Sequence, residues 1–235
     1  MNAATTRYEL GNYDFDFGDD EWKAKQMMKV ISKISDPSSI HSFADVGCGN
    51  GGTSVQIVKL LKERGFPVRC AAGYDLASPW KSTAETHTEV EFRRADFIQQ
   101  ETVFDLVTLN DVIEHVLCPI EFCRAVAQRA RYVALHIPLD NRLATYVSKD
   151  WNRRLSEIGH ISFWNVASAL TTLTAAGLFP LYCILTPGFS APSGRKRLAQ
   201  RLFLPIRAIA YAASPDLTAL TFGGVSLAVL SKGLI

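Results

Sequence analysis

The 235-residue chain contains no CxxC pair and no His-x-x-x-His spacing, and its five cysteines (Cys48, Cys70, Cys118, Cys123, Cys183) are odd in number and scattered. This spacing excludes a disulfide framework and a zinc ribbon, and it fits reduced thiols in a cytoplasmic protein. An apolar leader is also missing: Met1 to Glu9 is polar, so no secretory signal is expected. No uncharged apolar run reaches membrane-spanning length. Charge of one sign is scarce as well. Twenty-five Lys and Arg against 23 Asp and Glu leave a formal net charge of +2, too mild for a nucleic-acid partner. Repeats and low-complexity tracts are absent. What remains is an ordinary globular composition, 48% hydrophobic and 20% charged, over a length that suits one domain with a large core.

The most informative stretch is Asp45-Val46-Gly47-Cys48-Gly49-Asn50-Gly51-Gly52, which follows the apolar Ser42-Phe43-Ala44. It reads as a buried strand ending in a glycine-rich turn. A helix over Thr53 to Lys62 follows, with Val55, Ile57, Val58 and Leu61 on its apolar face. Glycines let the backbone turn sharply and clear side chains from a ligand's path, and the free N–H groups of the new helix face the same opening. Two fingerprints overlap here. Gly47-x-Gly49-x-x-Gly52 satisfies the dinucleotide pattern, a weak signal alone. Asp45-x-Gly47-x-Gly49-x-Gly51 satisfies another, in which a carboxylate at the mouth of the turn repels a pyrophosphate and suits a ligand carrying an ammonium group and a sulfonium.

Further acids recur at strand ends. Val68 to Tyr74 reads as a second strand ending at Asp75, placed to accept hydrogen bonds from a ribose diol in either cofactor class. A third strand, Val90 to Arg94, leads to Asp96-Phe97, and a fourth, Phe104 to Leu109, leads to Asn110-Asp111-Val112-Ile113-Glu114-His115-Val116. Together these segments resemble the class I S-adenosylmethionine-dependent methyltransferases, of the small-molecule and glycan type (the type 11 and type 23 domains). The resemblance covers roughly residues 40 to 185 plus the terminal strand. It implies a Rossmann-like α/β sandwich with a mainly parallel seven-stranded sheet in the order 3-2-1-4-5-7-6, its seventh strand antiparallel. S-adenosyl-L-methionine is the implied cofactor. Its contacts fall to Asp45, Gly47, Cys48, Gly49 and Gly51 in the turn, Asp75 and Leu76, Asp96 beside the adenine amino group with Phe97 on the ring, and Asn110 and Asp111 beside the methionine moiety.

Histidine ordinarily titrates near working pH, which makes His115 a candidate general base and His160 in Gly159-His160-Ile161 the second. Either can instead be a structural histidine ordering its loop. Glu114 reads as ordering the loop or pairing with a cation, and His136 as a satisfied core group. The cation- and aromatic-rich stretch 139–154 lies after a strand's end, the expected place for a substrate wall, with Arg142, Tyr146 and Lys149 as substrate contacts.

The expected organisation is a single methyltransferase domain over 1–235: an N-terminal arm and helix (1–39), a cofactor-binding core (40–189), a basic amphipathic insertion (190–216) and a last strand (217–235). Aromatics of the arm (Tyr8, Tyr13, Phe15, Phe17) are candidates for a lid. The insertion carries Arg195, Lys196, Arg197, Arg201 and Arg207 interleaved with apolar residues and a kinking Pro205. This pattern suits peripheral contact with the inner membrane face through 195–212, a dimer contact or a pocket cover. The expected reaction moves a methyl group onto a small-molecule or sugar acceptor, by preference onto oxygen, with no metal. A nicotinamide-dependent oxidoreductase and a non-catalytic binding protein of the same fold are the rival readings.

Overall fold

The computed structural model describes residues 18–77, 80–193 and 198–235. Seven strands make one sheet in the order β3-β2-β1-β4-β5-β7-β6. Strands β1 (Ser42–Val46), β2 (Cys70–Asp75), β3 (Glu91–Arg94), β4 (Phe104–Asn110) and β5 (Ala130–Pro138) are parallel. The last strand, β7 (Ser226–Lys232), runs antiparallel between β5 and β6 (Phe179–Thr186). This is the Rossmann-like sandwich that the resemblance implied.

Parallel neighbours require crossovers, and helices supply them on both faces. They are α1 (Asp20–Ile31), α2 (Gly52–Glu63), α3 (Lys81–Thr86), α4 (Pro119–Ala127), α5 (Leu143–Ser148), α6 (Val166–Ala175), α7 (Leu198–Ala213) and α8 (Pro215–Leu220). Strand residues alternate between two cores. Phe43, Leu106, Ala134 and Leu230 pack with Met27, Ile31, Val55, Val58 and Leu61 of α1 and α2. On the other face, Ala44, Val107, Val133 and Val229 pack with Val126 of α4 and Leu173 of α6. With both faces covered, the central strands show no polar alternation.

The turn between β1 and α2 needs its glycines. Gly47 has φ 72°, and a Cβ there would come 2.6 Å from Cγ2 of Val112. Gly51 caps α2 at φ 82°, where a Cβ would strike the Phe92 ring. Helix α1 starts at Asp20, whose acid and that of Glu21 occupy the favourable first turn, and it stops at Ile31. Strand β2 starts at Cys70, because the N–H groups of Arg69 and Cys70 both donate to the carbonyl of His41. Helix α3 spans six residues. The arm aromatics Tyr8, Tyr13, Phe15 and Phe17 and the basic residues Arg195, Lys196 and Arg197 lie outside the described residues. Helix α7 carries Pro205 inside its length. Among the described residues no helix is long and apolar enough to cross a membrane.

Candidate active site

The C-terminal ends of β1, β2 and β4 open into one cavity of about 570 Å³, well within the size range of small-ligand sites. Its lining includes Gly47, Asp75, Leu76, Asp96, Phe97, Asp111 and His115. Sequence reading did not name the far wall, formed by Val116, Leu117, Cys118, Glu121, Phe122 and Ala125 from the loop before α4 and from α4 itself. Asp75 ends β2 and fastens the glycine turn: the Gly49 N–H donates to its Oδ2 and the Ala77 N–H to its Oδ1, both at 2.9 Å. Burial pushes its carboxyl upward, against those bonds. Asp96 accepts from the Ile98 N–H at 3.2 Å, which fixes the loop after β3. Phe97 turns into the core, edge-on to Tyr74 at 5.1 Å between ring centres, and still borders the cavity.

Asp45 corrects one expectation. It does not stand at the mouth of the turn; it is 1% exposed and fully engaged. Its side chain points to the face covered by α2, where Ser54 donates at 2.6 Å, Thr108 at 2.7 Å and Asn110 Nδ2 at 3.0 Å. Asp45 therefore orients the amide of Asn110, whose Oδ1 is buried without a partner among the described residues. Cys48 is buried behind the turn, with its thiol pushed well up by burial and by Asp45 and Asp75.

Asp111 follows β4 with φ 54°, a left-handed backbone that turns the chain away from the sheet. Its carboxylate sits 2.9 Å from Lys23 Nζ of α1 and accepts from His136 Nδ1 of β5 at 2.7 Å. Burial alone would raise this carboxyl, but Lys23 and His136 hold it well below the ordinary carboxylate range. Asp111 in turn raises the Lys23 ammonium. His136 completes its bonds with Thr186 at 3.1 Å and is a satisfied core group, as read from its strand position.

The two candidate histidines meet. The backbone carbonyl of Glu114 accepts from the Ile161 and Ser162 N–H groups at 2.9 and 3.1 Å, clamping the 159–162 stretch onto the turn after β4. The rings of His115 and His160 stand edge to face, 4.9 Å between centres. His115 Nδ1 bonds the Gly159 carbonyl at 3.0 Å, and burial, then the neighbouring His160, lower its pKa to about 4. His160 Nδ1 lies 3.1 Å from Asp140 Oδ2. Asp140 also pairs with Arg142 at 3.1 Å and with Arg154. Beneath both rings lies Glu114, fully buried, its carboxyl pushed far up by burial and by Asp111 and Asp140.

The substrate wall is not assembled as read. Arg142 is half-buried, its Nη1 on Asp140 and on the Leu139 carbonyl, and its side chain fills the space that a Cβ on Gly223 would need. Burial lowers its pKa to about 10. A cation-rich stretch signals charge but cannot show which of its arginines already has a buried carboxylate. Tyr146 and Lys149 lie on the exposed end of α5, the former bonded to Asn141 at 3.1 Å and edge-on to Trp151. None of the three borders the cavity.

The donor set suits an adenosine attached to a cationic amino acid. Two acids, Asp75 and Asp96, stand among apolar Leu76, Phe97 and Ile98 in one cavity; Asn110, with its orphaned buried Oδ1, precedes the cavity-lining Asp111 but is not itself in the lining. Comparisons agree. The chain superposes on magnesium protoporphyrin IX methyltransferase from Synechocystis with bound SAH at TM-score 0.58 and 13% identity, covering 99% of this chain and 88% of that one. It superposes on mitomycin 7-O-methyltransferase at TM-score 0.57 and 12% identity, covering 91% and 54%. It also superposes on the YcgJ protein of Bacillus subtilis at TM-score 0.54 and 15% identity, covering 89% and 97%. No curated protein matches the sequence. A family model described as a methyltransferase domain matches residues 20–180, and on that match the chain belongs to the class I S-adenosylmethionine-dependent methyltransferases.

Proposed function

We propose that this methyltransferase (EC 2.1.1) acts on an oxygen of a small-molecule or sugar acceptor. One observation supports the reading: a single cavity is bordered both by Asp75 and Asp96 and by Asp111 and His115, so a cofactor held by the first pair and proton handling at the second would share one space. Asp75 would hold the ribose hydroxyls, Asp96 and its apolar neighbours the adenine, and Asn110, oriented by Asp45, the amino acid end. Bound S-adenosylmethionine supplies a methyl group already activated on a sulfonium. The chain's main contribution is then alignment, which can supply on the order of 7–11 kcal/mol. Removal of the hydroxyl proton falls to the cluster of Glu114, His115 and His160, of which His115 borders the cavity.

The exposed row Leu202, Phe203, Ile206 and Ile209 on α7 supports peripheral membrane contact, in keeping with a lipid-linked acceptor. Equilibrium dialysis with labelled S-adenosylmethionine, followed by mass spectrometry of an acceptor panel, tests the reaction. Binding plus a product heavier by one methylene on oxygen is expected, and failure to bind the cofactor would defeat the reading. His115→Ala should slow transfer by about 10²–10⁴-fold; a full rate would remove His115 from proton handling.

A further inference from the structure

We infer that helix α7 lies flat on an anionic lipid bilayer, its outer face sunk into the boundary between headgroups and acyl chains. The helix is built inside out. Every exposed position from 202 to 213 is apolar, and the large side chains among them, Leu202, Phe203, Ile206 and Ile209, are between 49% and 72% exposed. The two polar side chains of this stretch turn inward. The Tyr211 hydroxyl donates to the Leu185 carbonyl at 2.6 Å, and Nη1 of Arg207 lies 3.6 Å from the place a Cβ on Gly224 would take. A helix that faces water shows the reverse, with its apolar stripe against the core and its polar face outside. A continuous apolar face on the outside marks a surface that an apolar partner covers.

Charge and size choose the bilayer over a second copy of this chain. Residues 190–215 hold five Lys and Arg (Arg195, Lys196, Arg197, Arg201, Arg207) and no acid. That sign is attracted by anionic headgroups, and it repels the same segment of another copy. Twelve helical positions span about 18 Å, and a strip of that length about 10–12 Å wide covers about 200 Å². A stable dimer needs about 800 Å² from each partner. A bilayer sets no such minimum, because an apolar helix face and basic residues act on it together. Among the described residues no helix can cross a membrane, so α7 rests on the surface.

The helix also sets the orientation. Tyr211 ties it to the end of β6, and Arg207 to the residue two before β7. Ser226 at the start of β7 pairs with Pro138, where β5 ends, so α7 lies at the same end of the sheet as the C-terminal ends of β1, β2 and β4. Docking through α7 therefore turns the cavity's end of the sheet toward the lipid. This gives the membrane contact proposed above a face, a charge preference and an orientation; it rests on the proposed reaction only for its use, which is to meet an acceptor hydroxyl carried on a lipid headgroup.

The test is co-sedimentation of the full chain with vesicles of mixed phosphatidylcholine and phosphatidylglycerol, against vesicles of phosphatidylcholine alone, without cofactor or acceptor. Binding to the mixed vesicles is expected, at least about tenfold weaker on the neutral ones and likewise weakened at high salt. The double variant Phe203→Glu/Ile206→Glu should bind the mixed vesicles at least about 100-fold more weakly. Both positions are exposed, and near-UV circular dichroism together with cofactor dialysis establishes that the variant is folded. No binding by the unaltered chain, equal binding to both vesicle types, or equal binding by the folded double variant would each overturn the inference. A dimer in analytical ultracentrifugation that the double variant dissociates, with no vesicle binding, would assign the face to a second copy instead. Failure of the unaltered chain to bind S-adenosylmethionine would strike the methyltransferase reading and leave the vesicle result standing.

Discussion

Asp75 both fastens the glycine turn and borders the cavity, so substituting it touches both roles. Asp75→Asn removes the charge offered to a diol and, because an amide has one acceptor oxygen, also gives up one of the two turn bonds from Gly49 and Ala77. It should weaken S-adenosylmethionine binding by about 10–100-fold, the cost of losing hydrogen bonds to a charged group. Calorimetric titration measures this, and unchanged affinity would remove Asp75 from the ribose. Asp111 supplies a pH-dependent counterpart. Its carboxyl gives up its proton more readily in the folded chain than in the unfolded one. It therefore stabilises the fold above the unfolded pKa of about 3.9, and that stability is lost as pH falls through the lower folded value. Lys23→Met should cost about 1–3 kcal/mol at neutral pH. Urea denaturation should show the gap to the unaltered protein narrowing once pH drops below about 4; a gap that ignores pH would rule out the ion pair as its source. Lys23 could not be read as part of the site, because nothing in a sequence marks which lysine of an amphipathic helix will reach an acid on a distant strand. Asp45 shows the complementary limit. A strand-end acid is visible in the pattern, but the face it turns to depends on Ser54 and Thr108, which only packing brings near.

The unit of β1, turn and α2 was legible because its glycines announce backbone that other residues resist. At Gly47 the positive φ and the nearness of Val112 act together. Gly47→Ala should destabilise by about 1–3 kcal/mol. Adding Val112→Ala should recover the steric part, so the double variant falls short of the sum of the singles. Strict additivity in chemical denaturation would show the strain to be purely conformational. The clamp that joins His160 to His115 was not legible, although both histidines stood out as candidate bases. Its cause is a backbone pairing, Ile161 and Ser162 onto Glu114, that involves no side chain a motif could carry.

Across the whole molecule, the sheet order followed from recognising successive motifs as one family. The placement of Arg142 was not recoverable, since it depends on tertiary partners, Asp140 and Gly223, rather than on the local richness in cations. A cofactor bridging β1, β2 and β4 couples their stabilities. At about 100 times its dissociation constant, S-adenosylmethionine should add about 2.7 kcal/mol and raise Tm by about 5–10 °C. Differential scanning fluorimetry reads this directly, and a flat response would mean that the cavity does not take that ligand.

The place of β7 has a consequence for synthesis. Residues 226–232 lie between two strands made earlier, so a chain still emerging from the ribosome has β5 ending in an open edge and β6 with nothing to join. Phe179 and Leu181 of β6 are exposed even in the finished sheet, so what β6 lacks until the last ribbon threads in beside it is the pairing of its backbone. A translation stall just before Ser226 would thus leave an incomplete sheet whose exposed edges invite other nascent chains.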